Sequence, residues 1–160
     1  MNYDALRVMI VDDSPITVRK LSMMLEPLGY HIAATAASGK AAVASYRSAR
    51  PDVVTMDITM PGMDGIEATR QIMAEFPDAK IVMVTSHGQE KMVLEALKAG
   101  ARGYVIKPFQ EHKIYEAIEK ACKRVVVPEK LMAEIEQRKA LTAQKKAEQG
   151  GAANPMLEGE

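Results

Sequence analysis

Short, nearly uncharged runs of aliphatic and β-branched residues alternate five times with longer amphipathic stretches, and this alternation limits the possible folds more than any other feature. Leu6-Arg7-Val8-Met9-Ile10-Val11 reads as a buried strand. Ser14-Pro15 then supplies a capping hydroxyl and a proline suited to the first helical turn, and the helix should run to about Leu25, before Pro27 and Gly29. His31 to Ala36 reads as a second, weaker strand. Ser38-Gly39 opens an alanine-rich helix ending near Arg50-Pro51. Asp52 to Met56 is the third strand, followed by the turn-rich Thr59-Met60-Pro61-Gly62-Met63-Asp64-Gly65. Asp64 and Glu67 have capping-box spacing, and their helix should reach about Phe76. Lys80 to Thr85 and Gly103 to Ile106 are strands four and five. Gln89 to Ala99 is helix four, closed by Gly100 as a left-handed cap, and Glu111 to Val126 is helix five. The repeated strand-then-helix order argues for an α/β fold, (βα)5, with one doubly wound parallel five-stranded sheet.

Beyond residue 126 the pattern stops. Pro128 breaks the chain, and residues 127–149 read as a helix-prone polar extension with a thin apolar stripe of Leu131, Ile135 and Leu141. Residues 150–160 are small and polar and are expected to form a disordered tail. The expected domains are therefore residues 1–126, the helical extension and the tail.

Bulk properties exclude several classes of function. Lysine plus arginine and aspartate plus glutamate both number 21, so nothing electrostatic points to nucleic acid or an anionic membrane surface. Cys122 is the single cysteine, which precludes an internal disulfide and suits a reducing compartment. No apolar run approaches the roughly 20 residues of a membrane span, and Met1 to Arg7 has no apolar signal segment. A cytoplasmic location is the expectation.

Chemistry concentrates at the strand ends. In open α/β sheets ligands bind beyond the carboxyl ends of the strands. Strand one ends in Asp12-Asp13, strand three in Asp57, strand four in Thr85-Ser86 and strand five in Lys107-Pro108; strand two ends without a reactive group. Taken singly, these residues would be solvated turn acids, helix caps and a surface lysine. Their joint placement argues otherwise. Clustered carboxylates repel unless a cation sits among them, and a hard ion such as Mg2+ (or Mn2+) relieves that repulsion. One carboxylate can then attack phosphorus, with Lys107 and Thr85 available to phosphoryl oxygens.

The segments Val11-Asp12-Asp13-Ser14, Met56 to Gly65, Val84-Thr85-Ser86 and Gly103-Tyr104-Val105-Ile106-Lys107-Pro108-Phe109 resemble the receiver domains of two-component response regulators. The resemblance spans about residues 5 to 126, and its local details are most similar to stand-alone chemotaxis-type receivers. It implies a flavodoxin-like sheet of order 2-1-3-4-5. It implies that Asp57 accepts a phosphoryl group from a histidine kinase, and that Asp12, Asp13, Asp57 and the Thr59 backbone carbonyl hold the metal. It further implies that Lys107 contacts the phosphoryl group, that Thr85 swings toward it, and that the Tyr104 ring turns inward as Thr85 moves. Thr59 and His87 are implied to tune phosphate lifetime. The output face is implied to be helix four, strand five and helix five, with Lys91, Glu95, Lys98, Tyr104 and Lys113 as candidates for contacting an unknown protein target. The protein would then be a switch and not an enzyme in the ordinary sense, and a monomer or a phosphorylation-dependent dimer.

Rival readings fit less well. Aspartyl-phosphate hydrolases of the haloacid-dehalogenase type carry a second acid where this chain has Thr59. The P-loop pattern is missing. A flavin binder would leave the acid cluster unexplained. The chain after residue 126 is short for a helix-turn-helix domain, which argues against direct DNA binding. An assembly role for residues 129–149 is disfavoured by the thin stripe. His31 and His112 read as surface or helix residues, and Cys122 as a small buried apolar group.

Overall fold

Residues 8–11 leave solvent almost completely, and the rest of the fold is arranged around them. The computed structural model describes residues 5–86, 88 and 90–122. Its strands are β1 (Arg7–Val11), β2 (His31–Ala36), β3 (Val53–Met56), β4 (Ile81–Thr85) and β5 (Gly103–Ile106). Its α-helices are α1 (Pro15–Leu25), α2 (Gly39–Ala49), α3 (Gly65–Glu75), α4 (Glu90–Ala99) and α5 (Glu111–Cys122). All strand pairings are parallel, in the order β2-β1-β3-β4-β5. The sequence expectation for the fold therefore holds. The predicted stretch of helix five beyond Cys122, the polar extension and the tail lie outside the described residues.

Strand alternation divides the core in two. Val8, Ile10, Val53, Val82, Val84 and Val105 face α1 and α5, where they meet Leu21, Leu25, Ile114 and Ile118. Met9, Val11, Val54, Met56, Ile81 and Met83 face the other side, against Ala42, Ile66, Ala68, Ile72 and Ala96. Val8, Met9 and Ile10 are wholly buried. Burying each such side chain contributes about 1.5–3 kcal/mol, so successive residues of one strand stabilise both layers.

Local chemistry sets the element ends. Ser14, Ser38 and Asp64 cap α1, α2 and α3, accepting from the backbone N–H groups of Thr17, Ala41 and Glu67. At the end of α4, Gly100 takes φ +117°, while its N–H reaches the Leu97 carbonyl and that of Ala101 reaches Ala96. This is the left-handed closure expected there. Asp52 is not part of β3: its carboxylate accepts from the Arg7 backbone N–H at 2.7 Å, at the pole opposite the strand ends of interest.

Candidate functional site

The same alternation that builds the α1/α5 core carries polar groups to its upper rim. Asp12 continues the series Val8, Ile10; Asp57 continues Val53, Thr55; Lys107 continues Val105. All three therefore point to one side of the sheet, just past the strand ends. Backbone bonds hold these positions beyond the strands: Asp12 N–H to the Ala36 carbonyl at 3.0 Å, Asp57 N–H to Val11 at 2.9 Å, and Lys107 N–H to Thr85 at 2.8 Å.

Asp12 and Asp57 are 3% and 6% exposed, whereas Asp13 lies open to solvent. One carboxylate oxygen from each of Asp12, Asp13 and Asp57 falls within 4.8 Å of the others. That spacing, and a purely oxygen donor set, fit a hard divalent cation. The Lys107 ammonium lies 2.7 Å from Asp12 Oδ2 and 3.7 Å from Asp57 Oδ2. Asp12 Oδ1 accepts from the Ser14 N–H at 2.9 Å, so both of its oxygens are engaged.

Burial pushes the Asp57 carboxyl above the usual carboxylate value. Lys107 opposes the rise, the Asp12 charge adds to it, and hydrogen bonds from Thr85 and the Ile58 backbone oppose it. Two nearly buried acids thus share one cation, and Lys107 sits closer to Asp12. Thr85 is fully buried and close enough to the Asp57 carboxyl to favour its ionised form. Tyr104 is half-buried against the α3/α4 side of the core, and its phenol is raised by burial and then by the Asp57 charge.

The sequence-selected residues Asp12, Asp13, Asp57, Thr85 and Lys107 thus come together, with Tyr104 near enough to feel Asp57. Thr59 is exposed in the loop two residues beyond Asp57. His87 lies outside the described residues. His31 and His112 are exposed, as expected. Cys122 is partly buried against the α1/α5 core, and burial pushes its thiol up to about 11, as suits an inert packing residue. Tyr30 ties the start of β2 to α5 through a 2.7 Å bond from its hydroxyl to Glu119.

The sequence reading placed Gly65 at the end of a turn-rich loop and gave it no role of its own. A Cβ at Gly65 would lie 1.9 Å from the Asp57 carbonyl oxygen, and the Gly65 N–H donates to the Ile58 carbonyl at 2.7 Å. Only glycine lets the first turn of α3 close onto the acceptor's own backbone. The available signal was a glycine at the first position of a helix, where a stronger helix former would be the ordinary choice.

Comparison with known proteins agrees with this geometry. Residues 8–119 match the family model described as the response regulator receiver domain. The chemotaxis protein CheY of Thermotoga maritima is 45% identical over 117 residues, covering 73% of this chain and 98% of that protein. Protein PilH of Pseudomonas aeruginosa is 41% identical over 114 residues, covering 70% and 93%. Among solved structures, a complex of CheX, CheY, BeF3 and Mg2+ from Borrelia burgdorferi superposes with a TM-score of 0.72 at 36% identity, covering 74% of this chain and 90% of that one. Matched along most of its described length by a family model and by relatives covered almost to their full length, the chain belongs to the response regulator receiver domains, the CheY-like signalling switches of two-component systems, in which phosphorylation on aspartate is general.

Proposed function

We propose that Asp57 accepts a phosphoryl group from a histidine kinase and that the resulting aspartyl phosphate switches partner binding on the α4-β5-α5 face. The observation that carries this reading is the convergence of Asp12, Asp57 and Lys107 on one rim, with Asp13 beside them. An Asp57 oxygen attacks phosphorus, an O–P bond forms, and the P–N bond to the donor imidazole breaks. Asp12, Asp13, Asp57 and the Thr59 carbonyl would hold Mg2+ (or Mn2+), which would supply neutralisation of the charge that develops during transfer. The Mg2+ and BeF3 in the Borrelia complex accord with that donor set.

Lys107 pairs with Asp12 and Asp57 before transfer and is placed to exchange one of them for a phosphoryl oxygen. Thr85 lies close enough to the acceptor carboxyl to favour its charge and can donate to a phosphoryl oxygen. On phosphorylation Thr85 would swing toward the phosphoryl group and the Tyr104 ring would turn inward, a two-state element biased by one covalent charge. Thr59 and His87 flank the acceptor as candidates for setting phosphate lifetime.

The proposed output face has the right character. Leu94, Leu97, Ile106 and Tyr115 are each more than two-fifths exposed on α4, β5 and α5, with exposed Lys91, Lys98 and Lys113 on the same elements. Exposed apolar residues with a charged surround are typical of protein recognition. The partner is an unidentified protein, with chemotaxis the suggested setting from the CheY relatives. Nothing favours direct nucleic-acid contact, and among the described residues no helix is long and apolar enough to cross a membrane.

Incubation with acetyl phosphate and Mg2+ tests the acceptor. Stoichiometric labelling is expected for the unaltered chain and none for Asp57→Asn; retained labelling of Asp57→Asn refutes the assignment. Capture of binding proteins by phosphorylated and unphosphorylated chain tests the switch, and equal capture removes it.

A further inference from the structure

The acceptor loop between β3 and α3 is touched from outside by a helix that contributes nothing to the chemistry. A Cβ at Gly39, in the first turn of α2, would lie 2.6 Å from the Met63 carbonyl oxygen, 3.1 Å from Met63 Cγ and 3.2 Å from Ala68 Cβ. Gly39 is buried, and Ser38 fixes the turn by accepting from the Ala41 N–H at 3.1 Å. The closest of these contacts is with backbone, so a side-chain rotation cannot relieve it.

The loop is held at both ends. Its start is held where the Ile58 carbonyl accepts from Gly65, and Ile58 itself is 1% exposed. Its end is held by Asp64, which caps α3 through the Glu67 N–H at 2.8 Å. A push on the Met63 carbonyl therefore falls on residues 59–63, which include the Thr59 carbonyl. Met60, 6% exposed, is packed into the core next to residue 59.

We propose that Gly39 is a positioning residue: the missing side chain lets α2 buttress the acceptor loop from behind and set where the Thr59 carbonyl stands relative to the carboxylates. The inference rests on the metal site proposed above. It extends the acceptor site to a segment eighteen positions upstream of Asp57, in a helix that supplies none of the reacting groups.

Magnesium titration of the full chain by calorimetry tests it, with Gly39→Ala and Gly39→Val as graded perturbations. Gly39→Ala should weaken Mg2+ binding severalfold, and Gly39→Val should weaken it more. At saturating Mg2+ the maximal rate of labelling by acetyl phosphate should largely return for Gly39→Ala. Ala49→Gly, at the far end of α2, controls for general weakening of that helix and should leave the Mg2+ Kd unchanged. Asp13→Ala controls for the site itself and should abolish measurable binding. Unchanged affinity in Gly39→Ala alongside loss in Asp13→Ala overturns the buttress alone. Equal weakening by Ala49→Gly also overturns it, since any loss of α2 stability would then suffice. Unchanged affinity in Asp13→Ala removes the metal site on which the proposal stands. If Gly39→Val does not fold, Gly39→Ala decides the question.

Discussion

Replacing Asp57 by Asn should make the metal-free protein more stable while abolishing its acceptor chemistry. The Asp57 carboxylate is 6% exposed, and a carboxylate oxygen of Asp12 lies within 4.8 Å of it. At an effective dielectric of about 20, that distance corresponds to repulsion of about 3–4 kcal/mol. The Lys107 ammonium at 3.7 Å returns about 4–5 kcal/mol on the same scale. The two nearly cancel, so the uncompensated quantity is the cost of burying the charge, several kcal/mol for an ion in a protein interior. Asparagine avoids that cost, keeps an oxygen to accept from Thr85 and Ile58, and gains an amide able to donate to Asp12. Some of the gain is lost because Lys107 keeps only one anion. A net gain of about 1–3 kcal/mol results, which raises Tm by a few degrees for a chain of this size.

The pH dependence has a definite sign. Burial raises the Asp57 carboxyl above the usual carboxylate value, so the folded state binds its proton more readily than the unfolded state. Stability of the unaltered protein from this group therefore falls as pH rises from the unfolded value through the raised folded one. The advantage of Asp57→Asn should be largest at neutral pH and shrink toward acid. Added Mg2+, which binds the unaltered site more tightly, should shrink it too. Urea unfolding followed by circular dichroism in chelator, at pH 7 and pH 4, measures both effects. An Asp57→Asn protein less stable than the unaltered chain at pH 7, or a difference that ignores pH, would refute the reasoning.

Other outcomes follow from single contacts. Thr55 Oγ1 is buried on the central strand with no hydrogen-bond partner among the described residues, so Thr55→Val should stabilise the fold by about 1 kcal/mol in urea unfolding without changing acetyl phosphate labelling; a loss of stability would mean that the hydroxyl has a partner. Tyr30→Phe removes a 2.7 Å bond to the Glu119 carboxylate and should cost about 1.5–3 kcal/mol; Glu119→Gln should cost less, and equal losses would count against a charge-assisted bond. Lys107→Ala should leave Mg2+ binding in place, yet impair phosphorylation-dependent capture of partners; undiminished switching would remove Lys107 from the mechanism.

Sequence alone determined the element order, because the alternation of buried runs and capped amphipathic helices is local information. Ser14, Ser38 and Asp64 announced helix starts, and Gly100 announced a helix end, because each acts within a few residues of itself. The acids and Lys107 could be placed at strand ends for the same reason, although bringing them together needed the strand order that the family resemblance implied. Only the tertiary structure decided that Lys107 lies nearer Asp12 than Asp57, and that Thr85 is buried beside the acceptor. It alone showed that Gly65 and Gly39 are places where backbones nearly touch. Those facts depend on distances between segments far apart along the chain. They are set by how helices pack against a twisted sheet, which no local pattern of residues encodes.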